Sequence, residues 1–209
     1  MQKQRGLLVI VSGFSGAGKG TVVSQLCSEY ENYAVSVSAT TRDPRPGEED
    51  GVHYYFRTTE EFEEMIRRDA FLEHACYVGN YYGTPAGPVE EQRSAGKDVI
   101  LEIEYQGAVQ VKEKHPDATT VFITPPSAEE LVRRLTGRGT EDTEVIRKRL
   151  DRAREESVHM HEYDYILVND DLDLCVRQLH ELICRQHDRT ANRTDFIREI
   201  RKELRGLEI

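Results

Sequence analysis

A glycine-rich turn near the amino terminus constrains the fold of this chain more than any other feature. Residues 13–21 read Gly-Phe-Ser-Gly-Ala-Gly-Lys-Gly-Thr, directly after an apolar run at residues 7–11. Glycines let successive backbone N–H groups point into one concavity, and a following helix adds its positive N-terminal end. A lysine at this position, Lys19, reaches the β- and γ-phosphates of a nucleotide. The order of strand, turn, lysine and helix therefore predicts a site for a nucleoside triphosphate.

The turn departs from the usual phosphate-binding pattern at one position. The pattern places Ser or Thr directly after the lysine, whereas Gly20 stands there and the hydroxyl follows on Thr21. Direct ligation of Mg²⁺ by a loop hydroxyl is therefore left open, with Thr21 as the candidate. The alternative is a glycine-rich connection without a ligand, which the order of the segments disfavours. We expect the nucleoside triphosphate to contact the whole turn, namely Gly13, Phe14, Ser15, Gly16, Ala17, Gly18, Lys19, Gly20 and Thr21.

Length and charge limit the class of protein. A chain of 209 residues suits one domain with inserted lobes. Its formal net charge of −10 argues against general binding to nucleic acid or to a membrane surface. No signal-like or membrane-spanning apolar run is evident. The cysteines have no CxxC or zinc-like spacing, so we expect reduced thiols in a cytoplasmic protein: Cys27, Cys76, Cys175 and Cys184.

Apolar periodicity predicts a parallel α/β sheet. Four apolar runs are typical of buried strands, at residues 7–11, 99–103, 119–123 and 165–168, and residues 34–38 are a shorter candidate. Each of the four is followed by a segment of helical length, as parallel connections require. Helices are predicted at residues 21–30, 127–135 and 172–183 from apolar residues three and four apart.

Two long departures interrupt this core. Residues 38–96 are too many for a structureless loop and carry strand-like pieces and a helical pattern at 59–68, so they predict a small inserted lobe. Residues 137–142 predict a mobile flap that carries an arginine. The charged tail at 185–209 predicts a helical extension.

A proline turn at residues 38–47 carries the second basic group. Arg42 and Arg45 flank the turn, Ser38 begins the segment and Tyr54 follows it. Because the guanidinium fork matches phosphate oxygens, the cluster predicts a second phosphate site. A solvated turn is the alternative.

Glu73 offers a way to select a base. It follows two apolar residues, and Thr84 follows a Tyr-Tyr-Gly sequence. A carboxylate removed from water must find donors, and guanine offers two adjacent ones, N1–H and the N2 amine. The Thr84 hydroxyl could donate to guanine O6. An ordinary surface glutamate is the alternative, and we interpret His74 as a solvated or satisfied histidine.

Further charged residues lie near the ends of predicted elements. Glu102 and Glu104 close the run at 99–103, two residues apart and hence on one face of a strand. A carboxylate there, such as Glu102, could hold Mg²⁺ through water. Arg134 and Arg138 are four apart, on one helix face if the helix continues that far, where they would neutralise a transferring phosphoryl group. A polar strand end and a solvated helix face are the alternatives.

Taken in order, residues 7–184 resemble guanylate kinase. The motifs that carry the resemblance are Ser-Ala-Thr-Thr-Arg-Asp-Pro-Arg-Pro-Gly-Glu, Gly-Asn-Tyr-Tyr-Gly-Thr, Pro-Pro-Ser, Gly-Arg-Gly-Thr and Val-Asn-Asp-Asp. The resemblance implies that the GMP phosphate is held by Ser38, Arg42, Arg45, Tyr54 and Tyr82. It assigns guanine recognition to Glu73 and Thr84, with Glu104 also in the GMP site. The residues that match positions around the transferred phosphoryl group are Lys19, Arg134, Arg138 and Arg149, and Asn169 matches a residue near the ATP adenine.

The resemblance also implies a fold and an activity. The fold is α/β: a three-layer P-loop core with a parallel sheet (5–37, 97–136 and 160–209), an inserted mixed α+β GMP-binding lobe (38–96) and a helical lid (137–159). The activity is reversible transfer of the ATP γ-phosphoryl group to GMP, with Mg²⁺ as cofactor held by phosphates and water. The implied partners are ATP and GMP, and an oligomer is compatible with the resemblance. Glu102 and Glu104 stand where many relatives carry aspartates, and Thr84 where serine is also common.

There are two alternatives, a binding module from another functional class and a different kinase within the enzymes. Some domains of this kind have lost catalysis and bind protein partners, but the intact turn with Lys19 argues against that here. The other alternative is a kinase for a different monophosphate or a sugar phosphate. Glu73 together with Thr84 is the feature that discriminates, because it matches guanine.

Overall fold

The computed structural model describes residues 5–77, 79–137 and 143–207, in which strands and helices are mixed along the chain. The strands are β1 (Leu8–Gly13), β2 (Tyr33–Val35), β3 (Ala39–Thr40), β4 (Tyr55–Phe56), β5 (Phe71–Tyr77), β6 (Asn80–Pro85), β7 (Asp98–Glu102), β8 (Thr119–Thr124) and β9 (Tyr165–Val168). The helices are α1 (Lys19–Glu29), α2 (Thr59–Arg67), α3 (Ala86–Ser94), α4 (Tyr105–Lys114), α5 (Ala128–Thr136), α6 (Thr143–Ser157), α7 (Leu172–His187) and α8 (Thr194–Arg205).

A parallel five-stranded sheet in the order β2-β7-β1-β8-β9 forms the centre of the molecule. Alternate residues of β1 pack on opposite faces, with Val9 and Val11 in one apolar cluster and Leu8 and Ile10 in another. Helices α1, α5 and α7 contribute to the first cluster, and α3 and α4 to the second. Both faces are therefore covered, as parallel sheets require, and the predicted three-layer α/β fold is confirmed.

A smaller mixed sheet lies within residues 38–96, in the order β4-β3-β6-β5. Strands β3 and β4 are parallel, and the other two pairs are antiparallel. Helix α2 begins with a reciprocal cap between Thr58 and Glu61 and buries Phe62 against Phe71 of β5, with ring centroids 4.4 Å apart. This segment therefore has its own apolar cluster, and Leu72 of β5 packs in a cluster of the core.

The edge strand β9 differs from the sequence prediction. Residues 165–168 form the predicted strand, but it is not buried, since Tyr165, Ile166 and Val168 are 37, 48 and 47% exposed. The physical reason is its place at the edge of the sheet, where it pairs with β8 alone among the described strands. An apolar run by itself does not distinguish a central strand from an edge strand.

The carboxyl-terminal segment is helical, as predicted. The helix expected at 172–183 continues to His187, and α8 follows after a short turn of 3₁₀ helix. The flap was expected at residues 137–142. Only Gly137 of this segment is among the described residues. All four cysteines are free thiols. Within the described ranges, no helix has the length and apolar character needed to cross a membrane.

Candidate active site

The glycine turn and the start of α1 form an anion-binding concavity. Gly13, Gly16 and Gly18 have φ angles of 148, 88 and 87°, which favour glycine. At Gly18 a Cβ would lie 2.6 Å from Nδ2 of Asn169. Gly18 caps α1 without a side-chain hydrogen bond, and the first turn of α1 carries no acidic residue. The first N–H groups of α1 are therefore available to an anion.

Lys19 lies inside this turn. Its Nζ donates hydrogen bonds to the carbonyl oxygens of Gly13, at 2.6 Å, and Phe14, at 3.1 Å. Burial lowers the pKa of Lys19, and the nearby carboxylates of Glu102, Glu156 and Glu104 oppose that shift. Backbone carbonyls therefore hold the ammonium group at the loop.

Glu102 faces the loop position that departs from the motif. A Cβ at Gly20 would lie 3.6 Å from both carboxylate oxygens of Glu102, whereas Thr21 is exposed on α1. Burial raises the pKa of Glu102, and the charge of Lys19 lowers it. The described residues contain no group of three or more side chains arranged to hold a metal. One carboxylate therefore faces the concavity, without a preformed protein cage.

The prediction that Glu102 and Glu104 lie on one face of a strand is wrong. Strand β7 ends at Glu102, and Glu104 is the N-terminal cap residue of α4. Strand alternation therefore does not relate their side chains. The two carboxylates nevertheless both act on Lys19, because the strand and the helix meet beside the turn.

Arg134 and Asn169 join the loop from two elements. Arg134 on α5 pairs with Glu130 at 2.6 Å, and its second amino group donates to the backbone oxygen of Asn169 at 2.9 Å. The Asn169 side chain donates to the backbone oxygen of Ala17 at 2.8 Å and is buried. These contacts bring both predicted residues to the turn.

Helix α5 ends at Thr136, with Gly137 as its C-cap residue. The alignment of Arg134 with Arg138 on one helix face stays a prediction. Arg138 itself lies outside the described residues. Arg149 lies on α6 and is half-buried.

The second basic group is assembled around Arg42. Its guanidinium forms two hydrogen bonds with the Glu48 carboxylate, of 2.9 and 3.0 Å, and lies 5.4 Å from the ring centre of Tyr54. The ring centroids of Tyr54 and Tyr82 are 6.3 Å apart. Arg42 and the backbone N–H of Arg45 lower the pKa of Glu48 to about 2. Ser38 is half-buried just before β3, and Arg45 is exposed.

Glu73 is buried rather than a surface charge. It lies on β5 opposite Thr84 of β6. The exposed fraction of Glu73 is 8%, and that of Thr84 is 0%. The Thr84 hydroxyl donates to Oε1 at 2.7 Å, so its proton is directed to Glu73 rather than toward a base. Burial raises the pKa of Glu73, the Thr84 hydrogen bond lowers it, and the charge of Glu104 raises it. The charge of Glu104 thus acts on both the guanine candidate Glu73 and Lys19.

Three residues around these candidates were not predicted. Glu48 forms an ion pair with Arg42. Gln110 of α4 forms hydrogen bonds with both the backbone N–H and the C=O of His74, each of 3.1 Å. The third residue, Gly107, leaves room for Glu73. A Cβ at Gly107 would lie 3.0 Å from Oε2 of Glu73. The glycine at residue 107 in a helical pattern was the available sequence signal, since such a glycine often reflects a close approach.

The sequence matches known proteins over most of its length. The guanylate kinase family profile matches residues 5–186. The guanylate kinase of Lactococcus lactis subsp. lactis (strain IL1403) is 55% identical over 187 residues, covering 90% of this chain and 91% of that protein. The guanylate kinase of Streptococcus agalactiae serotype III (strain NEM316) is 51% identical over 206 residues, covering 96 and 99%.

A solved structure agrees with this match. The crystal structure of guanylate kinase from Anaplasma phagocytophilum is 33% identical, with a TM-score of 0.71 and coverage of 92% of each chain. The loop with Lys19, the Arg42 group and the buried Glu73–Thr84 pair lie within the matched segment. The chain therefore belongs to the guanylate kinase family.

Proposed function

We propose that this chain transfers the γ-phosphoryl group of ATP to GMP, with the two nucleotides bound at the two basic groups described above. The observation that carries the proposal is the buried Glu73 carboxylate, with Oε1 on Thr84 and Oε2 beside the bare backbone of Gly107. A buried acceptor requires donors. Guanine supplies N1–H and the N2 amine as an adjacent pair, and adenine has no such pair.

The GMP phosphate binds at Arg42, with Arg45, Ser38, Tyr54 and Tyr82 around it. Arg42 is paired with Glu48, so a phosphate must share the guanidinium with that carboxylate or displace it. The Arg42 guanidinium lies over the aromatic rings of Tyr54 and Phe56. These rings fix the plane in which the guanidinium binds phosphate oxygens.

The triphosphate of ATP binds at the glycine turn, which supplies backbone N–H groups and Lys19. Arg134, with Arg138 and Arg149, neutralises the charge that develops on the transferring group. Asn169 supports the adenine end, and Glu104 completes the GMP site. Phosphoryl transfer between two phosphates needs positioning and charge neutralisation more than a general base.

Mg²⁺ enters with ATP in this proposal. Glu102 is the carboxylate that faces position 20 and would hold the ion through water, with the phosphates as its other ligands. Thr21 is the second candidate. The proposal also divides the chain into a core, a GMP-binding lobe and a lid. It assigns the protein a cytoplasmic location.

A coupled assay of ADP release tests the function. ATP is offered with GMP, dGMP, AMP, UMP or dTMP, and GMP and its deoxy form are expected to be the efficient acceptors. Because AMP would leave Glu73 desolvated and unpaired, its kcat/KM should be lower by about four orders of magnitude. Efficient use of AMP or a pyrimidine nucleotide would contradict the proposal.

A further inference from the structure

Arg152 of α6 reaches the candidate site from outside the predicted motifs. Its guanidinium pairs with the Glu104 carboxylate, and its Nε donates to Glu156 at 3.3 Å. The guanidinium carbon lies 5.7 Å from the centre of the Tyr77 ring, at the end of β5. One side chain therefore contacts α6, the start of α4 and the strand that carries Glu73.

Glu104, the partner of Arg152, lies where its charge acts on two candidate site residues. Glu104 is the cap residue of α4, but its side chain makes no capping hydrogen bond and extends toward Arg152 instead. Its negative charge acts on both Glu73 and Lys19. Without a cation beside it, Glu104 would repel the ionised Glu73 carboxylate, which is the form that accepts both guanine donors.

Arg152 also acts on a second carboxylate, that of Glu156 on its own helix α6. Glu156, one turn further along the helix, is half-buried beside the loop, and burial raises the pKa of its carboxyl. Arg152 and Lys19 are the cations that oppose this shift. The same arginine thus balances two carboxylates, one from α6 and one from the edge of the guanine site.

We propose that Arg152 is a positioning residue for guanine recognition: it holds the Glu104 carboxylate at the edge of the guanine site and so links GMP affinity to the position of α6. The inference rests on the proposed function, because it takes Glu73 and Glu104 as GMP-binding residues. The Arg152 and Glu104 side chains are 34 and 61% exposed. Partly exposed ion pairs are weak, so the expected effect on affinity is about threefold to fivefold.

The test compares Arg152→Gln with Arg154→Gln. Arg154 lies on the same helix, is 76% exposed and pairs with Asp151, so it controls for loss of a helix charge. The dissociation constant of GMP is measured by calorimetry without ATP, and that of ATP without GMP. Arg152→Gln should weaken GMP by about fivefold and ATP by less than about twofold, and the GMP effect should shrink at high salt. Arg154→Gln should change neither, and Arg152→Lys should restore part of the GMP affinity.

A double-mutant cycle with Glu104→Gln identifies the route of the effect. If Arg152 acts by holding Glu104, then Arg152→Gln should add little once Glu104 is neutral. An equal loss in both backgrounds, an equal loss for ATP and GMP, or no difference from Arg154→Gln would overturn the inference. If the unaltered chain shows no preference for GMP, or if Glu73→Gln leaves that preference undiminished, the proposed function fails instead. Thermal melting confirms that each variant is folded.

Discussion

At the scale of single residues, the selectivity proposed for Glu73 depends on its burial. The residue is 8% exposed, and Thr84 satisfies one carboxylate oxygen. A ligand that cannot donate to the other oxygen leaves a desolvated acceptor, which costs about 1–3 kcal/mol and more for a charged group. An exposed glutamate would bind water instead and discriminate little. The residue type was predictable from the sequence, but its burial was not, because burial depends on how β5 packs against α4.

Glu73→Gln should not lower the free energy of unfolding at neutral pH, although it should impair GMP use. Burial raises the folded-state pKa of this carboxyl above 4.5, so folding disfavours the charged form. The resulting destabilisation is absent below the unfolded pKa, grows as pH rises through the folded pKa, and is complete above it. Urea unfolding of both proteins at about pH 4 and about pH 7 checks this. The advantage of Gln should be larger at the higher pH; a less stable Gln variant there would count against the assignment.

At the scale of elements, α4 positions the strand that carries Glu73. The Gln110 side chain bonds the N–H and C=O of His74, and Gly107 allows the Glu73 carboxylate to approach the helix. A segment of helical length was predicted after the run at 99–103, but β5 was not predicted individually among the strand-like pieces of residues 38–96. The register of β5 against α4 was not predictable, because it is set by contacts between segments far apart in the sequence.

Gly107→Ala should weaken GMP binding through this contact. The added methyl carbon would lie 3.0 Å from Oε2 of Glu73, which displaces the carboxylate and should raise the KM for GMP by about tenfold. The matched control is Gly87→Ala on α3, where a Cβ would meet nothing within 4 Å. That control should add up to about 1 kcal/mol of stability through helix propensity and leave KM unchanged. Equal KM values for the two variants would show that Gly107 does not position Glu73.

At the scale of the whole molecule, the parallel sheet brings candidate site residues that follow three of its strands to one side. The carboxyl ends of β1, β7 and β9 lead to the glycine turn, to Glu104 and to Asn169, which places these residues at the carboxyl edge of the sheet. The motifs predicted this edge because each follows an apolar run. They did not predict the exposure of β9, since an apolar run does not reveal whether a strand has one neighbour or two.

Removing α8 should leave the enzyme active. None of its residues is buried, and Asn192 and Arg193, which bond the backbone oxygens of Gln186 and His187, precede it. A chain ending at residue 193 keeps these contacts to the end of α7. Its kcat/KM for GMP should stay within about twofold, and the free energy of unfolding within about 0.5 kcal/mol. A large loss of either would mean that α8 contributes through a contact that the isolated chain does not make.

The ratio of kcat/KM for GMP to that for inosine monophosphate is the most direct test of guanine recognition by Glu73. Inosine monophosphate keeps N1–H and O6 and lacks only the N2 amine. The unaltered chain should prefer GMP by about tenfold or more, which corresponds to one hydrogen bond to a charged acceptor. Glu73→Gln should reduce that ratio several-fold, because the charged acceptor is lost. An undiminished preference for GMP in the Gln variant would contradict the central claim.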